Sequence, residues 1–175
     1  DRLSRELLDY LVLRWSGIEQ QNAPLFSDRL NRYICIGLEA TYQLLLDDNG
    51  SEEGLEFLVE STSERSLSSQ FDQAGLISIG SLISFRKKDT PANLRSLGVV
   101  NKIITSKSHN KTIFEIQMLA SQVFAVSYQT STAKALPQKA LIYGVKTQEA
   151  EKSYIVMESF NLKEGCLLYT SDAAD

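Results

Sequence analysis

Residues 47–57 (DDNGSEEGLEF) place carboxylate, amide and hydroxyl side chains next to two glycines. Such a segment suits three structures: a calcium-binding loop, a turn that brings backbone N–H groups close to phosphate, or a hairpin connection between two strands. Each would have different chemistry, because the first holds a cation, the second binds an anion and the third only joins strands. The sequence on either side helps to choose among them.

The calcium interpretation fits this segment poorly. Asn49 and Ser51 would take the first and third places of an EF-hand loop, where carboxylates normally supply the charge. Glu56 falls at the eighth place, where an apolar residue is expected, and the segment leads into β-like rather than helical sequence. We therefore expect no metal site here.

Side chains suited to catalysis are scarce. His109 is the single histidine, and it lies in SKSHNK at the tip of a predicted hairpin. The Gly-rich phosphate loops, HExxH and GxSxG are all absent. The acidic pair Glu52 and Glu53 lies in a polar turn, which is typical of a solvated surface. We expect neither catalytic residues nor a cofactor, and hence no enzyme.

The composition is that of an ordinary domain: 175 residues, 43% apolar, with 18 basic against 22 acidic side chains and a net charge of −4. This balance gives no electrostatic footprint for a nucleic acid polymer. No apolar run reaches the roughly 20 residues of a membrane span, and no signal peptide begins the chain, so we expect a cytoplasmic protein without membrane insertion. Cys35 and Cys166 fit neither a disulfide framework nor a zinc site, and we expect Cys35 to be a buried thiol.

The first residues predict an amphipathic N-terminal helix over residues 2–18, which QQNAP ends. Its apolar face contains Leu3, Leu7, Leu11 and Ile18. Because the chain starts within this pattern at Asp1, we interpret residues 1–24 as a helix and linker from a truncated upstream region.

After Pro24 the pattern changes to short β-rich runs separated by polar turns. The runs are RYICIGLEATYQLLL, EGLEFLVES, LISIGSLISFRK, LRSLGVVNKIIT, KTIFEIQML, VFAVSYQT, ALIYGVK and YIVMES. They predict a mainly β fold with a small antiparallel barrel over residues 25–130 and an additional β segment over residues 131–165. KSHN predicts a hairpin turn, and residues 61–70 (STSERSLSSQ) predict a loop.

The last ten residues, CLLYTSDAAD, resemble translated sequencing-adapter sequence. We therefore interpret residues 166–175 as a non-native tail and leave them out of the fold prediction.

Residues 76–128 resemble the second half of a PilZ domain, the bacterial module that binds cyclic di-GMP. Gly80 and LGVV (residues 97–100) take the places of that family's Gly-containing turn and "lGxV" strand. Upstream, DRLNRYICIGLEATYQLLL is similar to PilZ proteins whose barrel opens with Arg-containing sequence and a "cxGLxaxxxLL" strand. The resemblance covers residues 29–128 and implies a PilZ-like β-barrel.

In that family two arginines of an RxxxR motif hold the phosphates and guanines of the ligand, because a guanidinium can pair bidentately with either group and can also stack. Arg29 and Arg32 match this motif, although RLNR is one residue short. A "[DN]xSxxG" turn then supplies small side chains and backbone N–H groups.

This turn can be placed in two frames. In the first frame Asn49, Ser51 and Gly54 match NxSxxG, but Gly54 lies far before Gly80. In the second frame residues 59–64 (VESTSE) lie at a better distance from Gly80 and keep the serine, but end in glutamate instead of glycine. A plain hairpin connection remains the alternative for the first frame.

The resemblance implies a non-catalytic bacterial second-messenger receptor that binds cyclic di-GMP through Arg29, Arg32, Asn49, Ser51 and Gly54 and acts on an unknown protein effector. The alternative is a degenerate PilZ-like barrel that no longer binds nucleotide and serves as a protein-interaction or scaffold module.

Overall fold

The computed structural model describes residues 25–49, 54–70, 75–106, 110–129, 136–146, 148–157 and 167–170. The predicted N-terminal helix, Ser51 and His109 lie outside the described residues. Within the described ranges, no helix has the length and apolar character needed to cross a membrane.

The described chain is mainly β and forms two antiparallel sheets. Its elements are β1 (Arg32–Ile36), α1 (Leu38–Leu46), β2 (Phe57–Ser61), β3 (Ser66–Ser69), β4 (Leu82–Lys87), β5 (Ser96–Ser106), β6 (Lys111–Ala120), β7 (Phe124–Gln129), β8 (Gln138–Lys146), β9 (Glu151–Met157) and β10 (Leu167–Thr170). Six strands close a barrel in the order β1-β2-β3-β6-β5-β4, and four form a sheet in the order β10-β7-β8-β9. The predicted mainly β fold with a small antiparallel barrel is confirmed.

Alternating apolar side chains fill the barrel, since successive residues of a strand point to opposite faces. Phe26, which precedes β1, joins this core and packs edge-to-face on Phe85, with ring centroids 5.8 Å apart. The other buried apolar members are Ile34, Val59, Leu67, Ile77, Ile83, Val100, Phe114 and Ile116.

A second core lies between the outer surface of the barrel, α1 and the second sheet. Leu38 and Tyr42 of α1 pack here with Leu97 and Val99 of β5 and Leu141 of β8. Because β5 contributes to both cores, its first half is an uninterrupted apolar run instead of an alternating one.

The predicted strand RYICIGLEATYQLLL is wrong beyond its first five residues. Gly37, at φ 93°, follows β1, and α1 begins at Leu38. Leu38, Thr41 and Tyr42 are buried at helical spacing, and this part of the sequence is rich in good helix formers. The helix thus replaces the second half of the expected strand.

The loop predicted for residues 61–70 is also wrong, because Ser66–Ser69 forms β3 and completes the barrel between β2 and β6. Leu67 is its only apolar residue, and it pairs with Phe114 in the core. Pairing on both sides compensates for the low β-propensity of a serine-rich segment.

The last barrel strand, β6, ends at Ala120, and β7 pairs with β8 in the second sheet. The predicted KSHN hairpin is confirmed by antiparallel pairing of β5 and β6 as far as Ser106 with Lys111. The backbone of β10 pairs with β7, whereas the non-native origin of residues 166–175 stays a prediction.

Gly98→Ala should destabilise the protein by about 1–3 kcal/mol. A Cβ at this position would lie 2.9 Å from the carbonyl oxygen of Gln117 and closer still to Cγ2 of Ile116. Gly144→Ala is the matched control, since its Cβ would meet only the carbonyl oxygen of Lys152, at 3.9 Å. Urea unfolding measures both variants, and equal stabilities would contradict the close packing of β5 on β6.

Candidate ligand-binding cleft

The pairing of β1 with β4 positions the candidate site. Arg32, the first residue of β1, pairs with Lys87, the last residue of β4, so residues 25–31 lie beside the β4–β5 loop at one end of the barrel. Between them is a shallow, open cleft of about 520 Å³. We call this the basic cleft; it is lined by Arg29, Leu30, Asn31, Lys87, Lys88 and Asp89.

The basic cleft is locally cationic in a protein of net charge −4, since three of its side chains are basic and one is acidic. Arg29 and Lys88 form no ion pair with any described residue. Lys87 Nζ lies 3.3 Å from Oδ2 of Asp28, and its side chain is 54% exposed. These cations can therefore attract an anionic ligand from solution.

Arg32 supports the cleft and does not line it. Its Nη2 donates to both carboxylate oxygens of Asp28, at 2.9 and 2.8 Å, and its Nη1 donates to the carbonyl oxygen of Leu30 at 2.7 Å. The guanidinium also lies 5.4 Å from the centre of the Phe26 ring, and the side chain is 5% exposed. These contacts fix the turn that carries Arg29.

The pKa of Asp28 reflects this arrangement. Desolvation acts to raise it, but hydrogen bonds from the Leu30 amide, Arg32 and Lys87 outweigh that effect and lower the pKa to about 2. Asp28 therefore stays ionised and paired with Arg32 at neutral pH.

The residues of the first turn frame lie on the connection between α1 and β2. Asn49 donates its backbone N–H to Oδ1 of Asp47 at 3.0 Å, and Gly54 has φ 94°. Neither Asn49 nor Gly54 lines the basic cleft, and Ser51 lies outside the described residues.

The second turn frame lies next to the arginine segment. Val59 of β2 pairs with Arg32, and the backbone N–H of Phe26 donates to the carbonyl oxygen of Glu64 at 2.8 Å. Residues 62–65 connect β2 to β3. Glu64 places a carboxylate where the motif has glycine, which opposes phosphate binding at this turn.

A buried ion-pair cluster anchors the β4–β5 loop. Arg86 donates to Glu56 through Nε at 2.9 Å and Nη2 at 2.7 Å, and Arg95 Nη1 donates to the same carboxylate at 2.7 Å. Arg86 also donates to the carbonyl oxygen of Thr90 at 2.5 Å, and Arg95 to that of Ala92 at 3.1 Å. We call Glu56, Arg86 and Arg95 the arginine clamp.

Desolvation would raise the pKa of Glu56, but hydrogen bonds and Coulombic attraction from Arg86 and Arg95 lower it overall. The Arg95 side chain has no exposed surface, and those of Arg86 and Glu56 are each 14% exposed. Sequence analysis gave none of the three a role, and nothing in their local patterns marks them. They meet only because the barrel brings distant segments together.

The clamp continues into a polar contact beneath α1. Arg95 Nε donates to Oγ of Ser84 at 2.8 Å, and this hydroxyl lies 2.9 Å from Oγ1 of Thr41. Thr41 in turn donates to the sulfur of Cys35 at 3.8 Å. Burial raises the pKa of the Cys35 thiol, so it stays protonated, and its prediction as a buried thiol is confirmed.

Within the described ranges, no group of three or more His, Cys, Asp or Glu side chains is arranged to hold a metal ion. Comparisons of the chain with protein-family models, with curated proteins and with solved structures find no match.

Asp28→Asn should lower the stability at pH 7 by about 1–3 kcal/mol, because it leaves the buried Arg32 guanidinium without its carboxylate. Asp28 has a folded pKa of about 2, below the unfolded value of about 3.9. The contribution of the ionised Asp28 to the free energy of unfolding is therefore complete above the unfolded pKa and is lost as the pH falls through 2. Urea unfolding from pH 7 to pH 2 should show the wild type and the variant converging.

Asp89→Asn is the control for this series, because Asp89 forms no ion pair or hydrogen bond with any described residue. It should change the stability by less than about 0.5 kcal/mol at every pH. A constant difference between wild type and Asp28→Asn down to pH 2 would contradict the ion pair.

Proposed function

We propose that this protein is a non-catalytic bacterial signalling module of PilZ type that binds cyclic di-GMP in the basic cleft. The observation that carries the proposal is the grouping of Arg29, Lys87 and Lys88 around a cleft of about 520 Å³ beside the paired Arg32. Arg29 and Arg32 are the two arginines to which the family resemblance assigns ligand binding. The cytoplasm, where this second messenger is found, is the compartment that fits the proposal.

The lining matches the parts of a cyclic dinucleotide. Arg29 can pair in a bidentate manner with a phosphate or a guanine edge, whereas Lys87 and Lys88 act as point charges for the phosphates. Leu30, at 54% exposure, offers apolar surface to a base. Asn31 and Asp89 offer oxygen acceptors to the N–H groups of guanine.

The proposed site differs from the expected set at Arg32 and at the turn motif. Arg32 acts by holding the turn in which Arg29 lies, because its own donors already serve Asp28 and Leu30. Lys87 and Lys88 take over phosphate binding from the turn motif. The first frame predicts that Asn49, Ser51 and Gly54 contact the ligand, and this stays a prediction.

Two observations favour the alternative, a barrel that has lost the nucleotide and binds a protein effector. Asp28 occupies the guanidinium of Arg32, and Glu64 stands where the family has glycine. Both put negative charge near the expected place of the phosphates. The two hypotheses differ in a single measurable quantity, the affinity for cyclic di-GMP.

Arg29→Asn combined with Lys88→Gln should weaken binding of cyclic di-GMP at least about tenfold, since each change removes a charge-assisted contact worth roughly 1.5–3 kcal/mol. Asparagine is chosen at position 29 because φ is 56° there and asparagine tolerates this conformation. Isothermal titration calorimetry at fixed salt concentration measures the affinity.

Lys152→Gln is the matched control, because Lys152 is an exposed lysine of β9 in the second sheet and does not line the cleft. It should leave the affinity unchanged. Absence of binding by the wild type at about a millimolar ligand, where affinity corresponds to only about 4 kcal/mol, would contradict the sensor and favour the protein-interaction module.

A further inference from the structure

The β4–β5 loop carries two of the six residues that line the basic cleft, Lys88 and Asp89. Its backbone makes two internal hydrogen bonds, from the Thr90 amide to the carbonyl oxygen of Lys87 and from the Leu94 amide to that of Pro91, both at 3.1 Å. These two bonds span only a few residues each. The position of the loop on the barrel therefore depends on contacts from outside it.

The arginine clamp supplies such contacts through Arg86, which lies in β4, and through Glu56, which pairs with Arg95, the last residue of the loop. The guanidiniums of Arg86 and Arg95 hold the carbonyl oxygens of Thr90 and Ala92, and both guanidiniums share the carboxylate of Glu56. Without that carboxylate, two like charges would face each other in a largely buried space. The clamp can hold the loop only while Glu56 is ionised and in place.

We propose that Glu56 is a positioning residue of the basic cleft: by holding Arg86 and Arg95 together, it fixes the β4–β5 loop and so sets the place of Lys88. The proposal rests on the proposed function in one respect, that Lys88 binds the ligand. The claim that Glu56 fixes the β4–β5 loop does not depend on the ligand and can be tested without it.

Glu56 also links this loop to the connection between α1 and β2, where the first turn frame lies. A second contact joins the same two segments, from Nδ2 of Asn93 to Oδ1 of Asp48 at 3.4 Å, but it is exposed. Exposed polar contacts contribute little. The Asp48 contact therefore provides a matched control for Glu56, because both substitutions remove one carboxylate between the same segments.

The test compares Glu56→Gln with Asp48→Asn by amide hydrogen exchange in the absence of ligand. In Glu56→Gln the amides of Thr90 and Leu94 should exchange at least about tenfold faster, which corresponds to a decrease of about 1.4 kcal/mol in the free energy of local opening. Amides of β5 and β6 serve as the internal reference and should change less. Asp48→Asn should leave the loop amides unchanged, and Glu56→Asp, which keeps the carboxylate, should restore part of the protection.

Arg86→Gln keeps the test decisive if Glu56→Gln does not fold, because it removes the donor to Thr90 and leaves the pair of Arg95 with Glu56. The Thr90 amide should again exchange faster than the reference strands. The proposal would be overturned if the loop amides of the folded variants exchange at the wild-type rate, because the loop is then held without the clamp. It would also be overturned by an equal increase at every amide, because that increase indicates global destabilisation.

Calorimetric titration with cyclic di-GMP completes the experiment. Glu56→Gln should weaken binding by about fivefold to tenfold, less than the direct loss of Lys88 and Arg29 together. If the wild type binds no cyclic di-GMP, the proposed function fails while the exchange result still decides the role of Glu56. If the wild type binds and Glu56→Gln binds equally well, the positioning role is overturned and the proposed function stands.

Discussion

The carboxylate of Glu56 has to pair with two guanidiniums at once, and the arrangement at this end of the barrel depends on that constraint. Arg95 has no exposed side-chain surface, so it cannot be solvated by water. Its charge is compensated by Glu56, and its remaining donors go to Ser84 and Ala92. Loss of one partner from a buried pair of this kind costs several kcal/mol, because the other charge is left in a poorly solvated place.

A second ion pair organises the opposite wall of the cleft in the same way. Asp28 and Arg32 fix the turn before β1, and the clamp fixes the loop after β4. The pair of Asp28 and Arg32 is neutral, whereas the clamp keeps one excess positive charge, and neither engages Arg29 or Lys88 in an ion pair among the described residues. Fixed walls with free cations are what a small anionic ligand requires, because little reorganisation is then needed on binding.

The strands with a clear pattern were predictable from sequence, whereas long-range features were not. β5 and β6 carry strong apolar runs around a hairpin turn, and their pairing was predicted. β3 was not predicted because it consists mostly of serine, which has low β-propensity. α1 was not predicted because a short apolar run does not distinguish a helix from a strand. Arg29 was found through a resemblance, but Lys87 reaches the cleft only through its pairing with Arg32. Glu56 is 30 residues from Arg86 and 39 from Arg95, so no local pattern could predict the clamp.

The central claim is that the basic cleft binds cyclic di-GMP, and amide chemical-shift mapping during titration with that ligand tests it most directly. The account predicts saturable shifts concentrated at residues 29–31 and 87–89, with small shifts in the second sheet. Shifts concentrated at Asn49 and Gly54 would move the site to the first turn frame. An unchanged spectrum at about a millimolar ligand would contradict the account and leave the barrel as a module for a protein partner.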